Sequence, residues 1–205
     1  MEEKKLIFIT GGVRSGKSTF AENYATSFVK GNEGTLRYIA TSRPSDREMT
    51  SRISIHQLQR LNSGFNWETL EFPFNMAKAA SFVQQSDIVL LDCLTVLLTN
   101  ELFRDGFSEN IWEQQDYQAK VMQLILEGID AIRGKAKLLL IVSNEVLNEH
   151  ITDRSLVQTY GRLLGMLHQE LVRMSSEAYL VEAGIPILMK GGQPNEGHYD
   201  SRNRF

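Results

Sequence analysis

Residues 10 to 19 read TGGVRSGKST, and no other stretch restricts the fold of this 205-residue chain as strongly. Gly11–Ser18 satisfies G-x-x-x-x-G-K-[ST], follows the apolar run Leu6–Thr10, and opens a helical pattern that continues to about Val29. A strand that turns through glycines into a helix is built to hold phosphate. Gly11, Gly12 and Gly16 let backbone N–H groups curl inward, and Val13, Arg14 and Ser15 supply further amides to the same curl. The helix that starts at Lys17 points its positive end at the bound anion. Lys17 adds a point charge for the outer phosphates, and Ser18 offers a hydroxyl to Mg²⁺. The bland alternative is a glycine-rich turn with an incidental Lys-Ser; the strand before it and the helix after it argue otherwise. The motif implies a nucleoside triphosphate with Mg²⁺. It does not separate kinase, ATPase, nucleotidyltransferase and switch.

The remainder alternates in the same way. Short apolar runs at 36–40, 67–72, 88–91 and 138–142 read as strands. Helical spacing occupies 46–61, 75–84, 112–133 and 154–176, the last with Leu156, Leu163, Leu164, Leu167 and Leu171 on one face. Buried strands separated by helices predict an α/β fold with a mostly parallel sheet covered on both faces. Residues 178–181 and 185–189 flank Glu-Ala-Gly, which predicts a C-terminal hairpin adding an antiparallel edge strand. One domain is expected over 1–190, followed by a loose polar tail over 191–205.

Composition trims the options. The net charge of −3 gives no overall basic footprint for nucleic acid. No apolar run approaches the ~20 residues of a membrane span, and the N-terminal apolar run is too short for a signal peptide. The lone Cys93 cannot form an intramolecular disulfide. A cytoplasmic enzyme is the expectation. Ile88–Asp92 is an apolar strand that ends in a carboxylate, suited to holding the metal or its water. A strand-end Asp that caps the next turn looks the same. His56 lies in REMTSRISIHQLQR, where Glu48, Arg52, His56 and Arg60 recur every four residues and share one helical face. A neutral imidazole among cations can attack phosphorus; a solvated charged face with an incidental histidine has the same spacing.

Several stretches taken in order are more specific. They are ITGGVRSGKSTFAE, YIATS (38–42), D-x-E-M-x-x-R-I-x-x-H (46–56), WETLE (67–71), LLDCLTVLLTN (90–100) and VSNEV (142–146). Together they resemble the bifunctional adenosylcobinamide kinase/adenosylcobinamide-phosphate guanylyltransferase family of cobalamin assembly, from about Leu6 to Lys190. The resemblance implies a RecA-like P-loop fold and a homotrimer. It also implies two activities. The first is phosphorylation of adenosylcobinamide, a corrinoid, by ATP or GTP. The second is transfer of GMP from GTP to that phosphate through a guanylylated histidine, with release of pyrophosphate.

By the resemblance His56 is the nucleophile, with Lys17 as the other catalytic group. Thr41, Ser42 and Arg43 fall in a nucleotide-contacting turn, Gln57, Leu58, Gln59 and Arg60 in the nucleotide loop after the histidine, and Glu71 and Asp92 at nucleotide-contacting carboxylates. Ser18 and Asp92 would hold the metal. The second half departs from the family pattern at Leu147, at Tyr160–Arg162, and at His168 in place of an asparagine. A diverged kinase or nucleotidyltransferase with another acceptor, or a regulatory nucleotide-binding ATPase, are the alternatives.

Three further features belong to packing first. Cys93 reads as an inert buried thiol. Trp67 and Trp112 read as core or interface residues, with corrinoid support as the other option. Leu97, Leu98, Leu102, Phe103 and Phe107 form an apolar stretch that suits either a subunit interface or a corrinoid pocket.

Overall fold

The computed structural model describes residues 5–29, 35–43, 47–104, 111–145 and 154–191. Its strands are β1 (Lys5–Gly11), β2 (Leu36–Ala40), β3 (Trp67–Glu71), β4 (Ile88–Asp92), β5 (Leu138–Asn144), β6 (Glu177–Glu182) and β7 (Ile185–Lys190). Its helices are α1 (Lys17–Ser27), α2 (Arg47–Asn62), α3 (Leu94–Leu102), α4 (Gln115–Arg133) and α5 (Arg154–Met174). One seven-stranded sheet has the order β3-β2-β4-β5-β1-β6-β7, parallel throughout except for β7, which runs antiparallel to β6. The expected mostly parallel sheet with an antiparallel edge is therefore what the chain forms.

The pleat divides the core in two. Leu6 and Phe8 of β1, Val89 and Leu91 of β4, and Leu139 and Ile141 of β5 face α3, α4 and α5. Ile7, Ile9, Leu90, Leu140 and Val142 point the other way, toward Phe20 and Tyr24 of α1 and Phe28 just after it. Strands buried on both faces cannot alternate polar and apolar residues, which explains runs such as LLLIV. On α4 the buried positions Val121, Met122, Ile125, Ile129 and Ile132 keep helical spacing against the sheet.

Three elements differ from expectation. Residues 76–82 form a tight 3₁₀ segment rather than an α-helix. It enters from Asn75 at φ 56° and lies so close to α4 that a Cβ on Gly128 would stand 2.8 Å from the Met76 Cβ. The long helix starts at Gln115, because Gln118 Nε2 donates to Trp112 O (2.8 Å) and closes a separate turn over 111–113. The stretch containing Leu97, Leu98 and Leu102 is helix α3, and all three side chains are in the core, at most 1% exposed. That assigns them to packing within the chain rather than to an interface or corrinoid pocket. Phe103 packs against the same core, and Phe107 lies outside the described residues. Trp112 is likewise core, and Trp67 rests edge-on to Tyr38. The expected tail, beyond Gly191, also lies outside them.

Candidate active site

The loop between β1 and α1 lies at the carboxyl edge of the sheet, where open α/β sheets bind ligands. Its backbone is held from three sides. Ser15 N donates to Gly12 O (3.2 Å), Glu145 N after β5 donates to Gly11 O (3.1 Å), and Gly184 N donates to Ser15 O (2.8 Å). The last bond comes from the β6–β7 turn, where Ala183 and Gly184 both have positive φ, the shape of a tight two-residue hairpin turn. Gly16 caps α1 at φ 89° with its Cα side against Gly184. Gly11 ends β1 so close to β6 that a Cβ there would stand 2.2 Å from the Val181 carbonyl oxygen. The edge hairpin therefore buttresses the phosphate loop, a contact with no local sequence signal.

Polar groups collect inside the curl. Lys17 is only 7% exposed, and its Nζ donates to Gly12 O at 2.9 Å, folded over its own loop. Ser15 Oγ is buried without a protein partner, as is Thr10 Oγ1. A buried hydroxyl and a buried ammonium at a glycine loop are groups that suit a phosphate oxygen. Val13 is exposed, and a cavity of about 380 Å³ opens between residues 12–15 and 180–183. Ser18 is half-buried on the first turn of α1.

Asp92 ends β4, half-buried, two strands from β1, or about 10 Å by ordinary strand spacing. Its Oδ2 accepts from Tyr38 Oη at 3.1 Å. Burial, with the Asp92 charge second, holds the Tyr38 hydroxyl well above its usual range, so it donates as a neutral phenol. Thr41 is fully buried. Its hydroxyl donates to Cys93 O (2.9 Å) and accepts from Cys93 N (2.8 Å), and its carbonyl accepts from Asn100 Nδ2 (2.9 Å). Thr41 therefore braces β2 to the end of β4. Ser42 is half-buried, and exposed Arg43 lies 4.3 Å from the Phe74 ring centre. Cys93 is buried, and burial pushes its thiol up to about 11, which leaves it protonated and inert.

On α2, His56 is half-buried, Gln57 and Leu58 are exposed, and Gln59 follows them on the helix. Arg60 is 5% exposed and ion-paired to Glu22 of α1 at 3.2 Å, with its guanidinium 3.6 Å above the Tyr38 ring centre. Gln57 and Arg60 also line a groove of about 470 Å³ with Leu61, Phe65, Trp67 and Thr69. Glu71 ends the outer strand β3 and is exposed. The side chains of Glu48 and Arg52 lie outside those described.

Sequence reasoning missed Glu22 and Tyr38. Both had a signal: Glu22 follows Ser18 by four residues on α1, and Tyr38 shares its strand face with the residues under that helix. It also missed a polar chain that joins α5, the end of β5 and α3. His168 Nε2 meets Ser143 Oγ (2.8 Å), Ser143 Oγ meets Thr95 Oγ1 (3.2 Å), and Thr95 Oγ1 accepts from Asn144 N (2.8 Å). Burial lowers the His168 pKa to about 4, so the imidazole is neutral.

A mostly parallel α/β sheet with a glycine loop, a buried lysine and a strand-end aspartate along one edge defines a P-loop nucleotide-binding protein. Comparison with known proteins narrows this. Residues 7–189 match the family described as cobinamide kinase / cobinamide phosphate guanyltransferase, and the chain belongs to that family. The bifunctional adenosylcobalamin biosynthesis protein CobU of Escherichia coli (strain K12) is 32% identical over 190 residues, spanning 90% of this chain and 99% of that protein. The protein of the same name from Salmonella typhimurium is 33% identical over 192 residues, with the same coverage. Among solved structures, the flagellar accessory protein FlaH from Methanocaldococcus jannaschii matches with a TM-score of 0.46 at 14% identity, over 94% of this chain and 80% of that one.

Proposed function

We propose that the chain performs both reactions of its family. It phosphorylates adenosylcobinamide with ATP or GTP, then joins GMP from GTP to the resulting phosphate through His56. The observation that carries this reading is the family match from residue 7 to 189, which spans the phosphate loop, His56 and Asp92 together.

In the second reaction a neutral His56 nitrogen attacks the α-phosphorus of GTP. A P–N bond forms, the bond from that phosphorus to the bridging oxygen breaks, and pyrophosphate leaves. An oxygen of the corrinoid phosphate then attacks the same phosphorus, the P–N bond breaks, and adenosylcobinamide-GDP departs. Holding GMP on the histidine splits one difficult displacement into two. Lys17 and the loop amides of 11–18 bind the outer phosphates and carry the charge that grows on the leaving group. The kinase step uses the same loop. Ser42, Arg43, Gln57, Leu58, Gln59 and Glu71 are proposed around the nucleotide, with the buried Thr41 bracing the turn that carries Ser42 and Arg43.

The residues present fit Mg²⁺. Ser18 and Asp92 offer a hydroxyl and a carboxylate, both hard oxygen donors. Mg²⁺ is commonly held by one or two protein oxygens together with substrate phosphates and water. When bound, it would supply positive charge to the triphosphate.

No helix among the described residues is long and apolar enough to cross a membrane. A cytoplasmic location is proposed, as is a homotrimer, which would sediment at three times the 23.3 kDa chain mass. The test is turnover. With adenosylcobinamide, ATP, GTP and Mg²⁺, mass spectrometry should find first the phosphate and then the GDP adduct. Turnover only with a different acceptor would refute the corrinoid assignment.

A further inference from the structure

Arg60 is oddly placed for a side chain that reaches to a nucleotide. Its guanidinium is buried, paired with Glu22 and centred 3.6 Å from the middle of the Tyr38 ring. The Tyr38 hydroxyl in turn donates to Asp92. Contacts thus run without a gap from α2 through α1 and β2 to the end of β4. His56 precedes Arg60 by four residues, so the two lie on one face of α2, one turn apart.

We propose that Glu22 and Tyr38 are positioning residues for guanylyl transfer: by holding Arg60 they hold the His56 turn of α2 in register with Asp92. This rests on the His56 reading above. A buried guanidinium needs its counter-charge, because an unpaired buried cation is far costlier than a solvated one. Remove the Glu22 charge and Arg60 turns toward water, which releases the last turns of α2. A nucleophile displaced by about 1 Å loses on the order of a hundredfold in rate, while substrate binding at a separate loop is little changed. Burial raises the Glu22 pKa, and the Arg60 hydrogen bond and charge pull the other way. Arg60 thereby transmits the hold of Glu22 and Tyr38 to the His56 turn.

The test uses Glu22→Gln, Tyr38→Phe, Arg60→Ala and the Glu22→Gln/Arg60→Ala double variant. The GTP dissociation constant and the single-turnover rate of protein labelling by α-labelled GTP are both measured. Glu22→Gln should slow labelling by about 10- to 100-fold, with GTP binding changed by less than about threefold. Tyr38→Phe keeps the ring under Arg60 and loses only the bond to Asp92, so it should slow labelling by a smaller factor of about 3 to 10. The double variant should be no slower than Arg60→Ala alone, because the two groups act as one unit. Three outcomes would overturn the inference: wild-type labelling rates in Glu22→Gln and Tyr38→Phe, equal losses of binding and rate, or weakened GTP binding in Arg60→Ala without slower labelling at saturation. Wild-type protein that binds GTP but takes no label would overturn the histidine reading itself, and this inference with it.

Discussion

Replacing Gly11 by alanine tests how the edge hairpin supports the phosphate loop. The new methyl group would stand 2.2 Å from the Val181 carbonyl oxygen and 2.8 Å from Ser15 Oγ, and real Cβ atoms essentially never come within 3.0 Å of another heavy atom. The nearer neighbour is backbone of β6, which pairs with β1 over Ile7–Thr10, so it cannot simply rotate away. Relief requires β6 to move outward by close to an ångström. That motion pulls the β6–β7 turn from the loop and breaks the Gly184 N to Ser15 O bond. Overpacking of this kind costs about 1–3 kcal/mol, and the lost hydrogen bond adds about 1 kcal/mol. The expected total is about 2–4 kcal/mol, a drop of about 1–2 M in the urea midpoint at an m-value of about 2 kcal/mol/M. GTP affinity should fall at the same time, since the loop loses a brace. Gly12→Ala is the control: a Cβ there meets nothing within 4 Å. Equal urea midpoints for wild type, Gly11→Ala and Gly12→Ala would refute the reasoning.

Two further predictions use the buried titratable groups. Native His168 titrates near 4 against an ordinary value of 6.5, so between those values the unfolded chain binds more protons than the native one. Its contribution therefore lowers stability as pH falls from 6.5 toward 4; His168→Asn should flatten that limb in urea melts recorded across the range, and parallel limbs would count against the assignment. The Cys93 thiol, buried and raised to about 11, should stay unreactive toward a disulfide reagent at pH 8 until urea unfolds the chain, when one equivalent reacts; rapid labelling of native protein would contradict its burial.

Much of the fold was legible because strands buried on both faces leave continuous apolar runs. All seven strands, and helices α1, α2, α4 and α5, stand within a few residues of where apolar runs such as LIFIT and LLLIV, the helical spacing between them and the Glu-Ala-Gly turn placed them. Helix α3 was hidden although its buried Leu94, Leu97, Leu98 and Leu102 keep helical spacing, because the run is only nine residues long and two of the residues it buries with them, Thr95 and Glu101, are polar. The 3₁₀ segment at 76–82 depends on its closeness to Gly128, a residue some fifty positions away, so no local signal could reveal it. The phosphate loop and Asp92 were readable because their chemistry is packed into short spacings. The Glu22–Arg60–Tyr38–Asp92 chain joins four elements and becomes visible only when the sheet brings them together.

The central claim is that His56 carries GMP. Protein incubated with Mg²⁺ and GTP labelled at the α-phosphate, then denatured, should retain label that is stable in alkali and released by acid, the behaviour of phosphorus bound to an imidazole nitrogen. His56→Ala, assayed at a GTP concentration where its binding is measured directly, should retain none. Label that persists in His56→Ala, or its absence from wild-type protein that demonstrably binds GTP, would contradict the account.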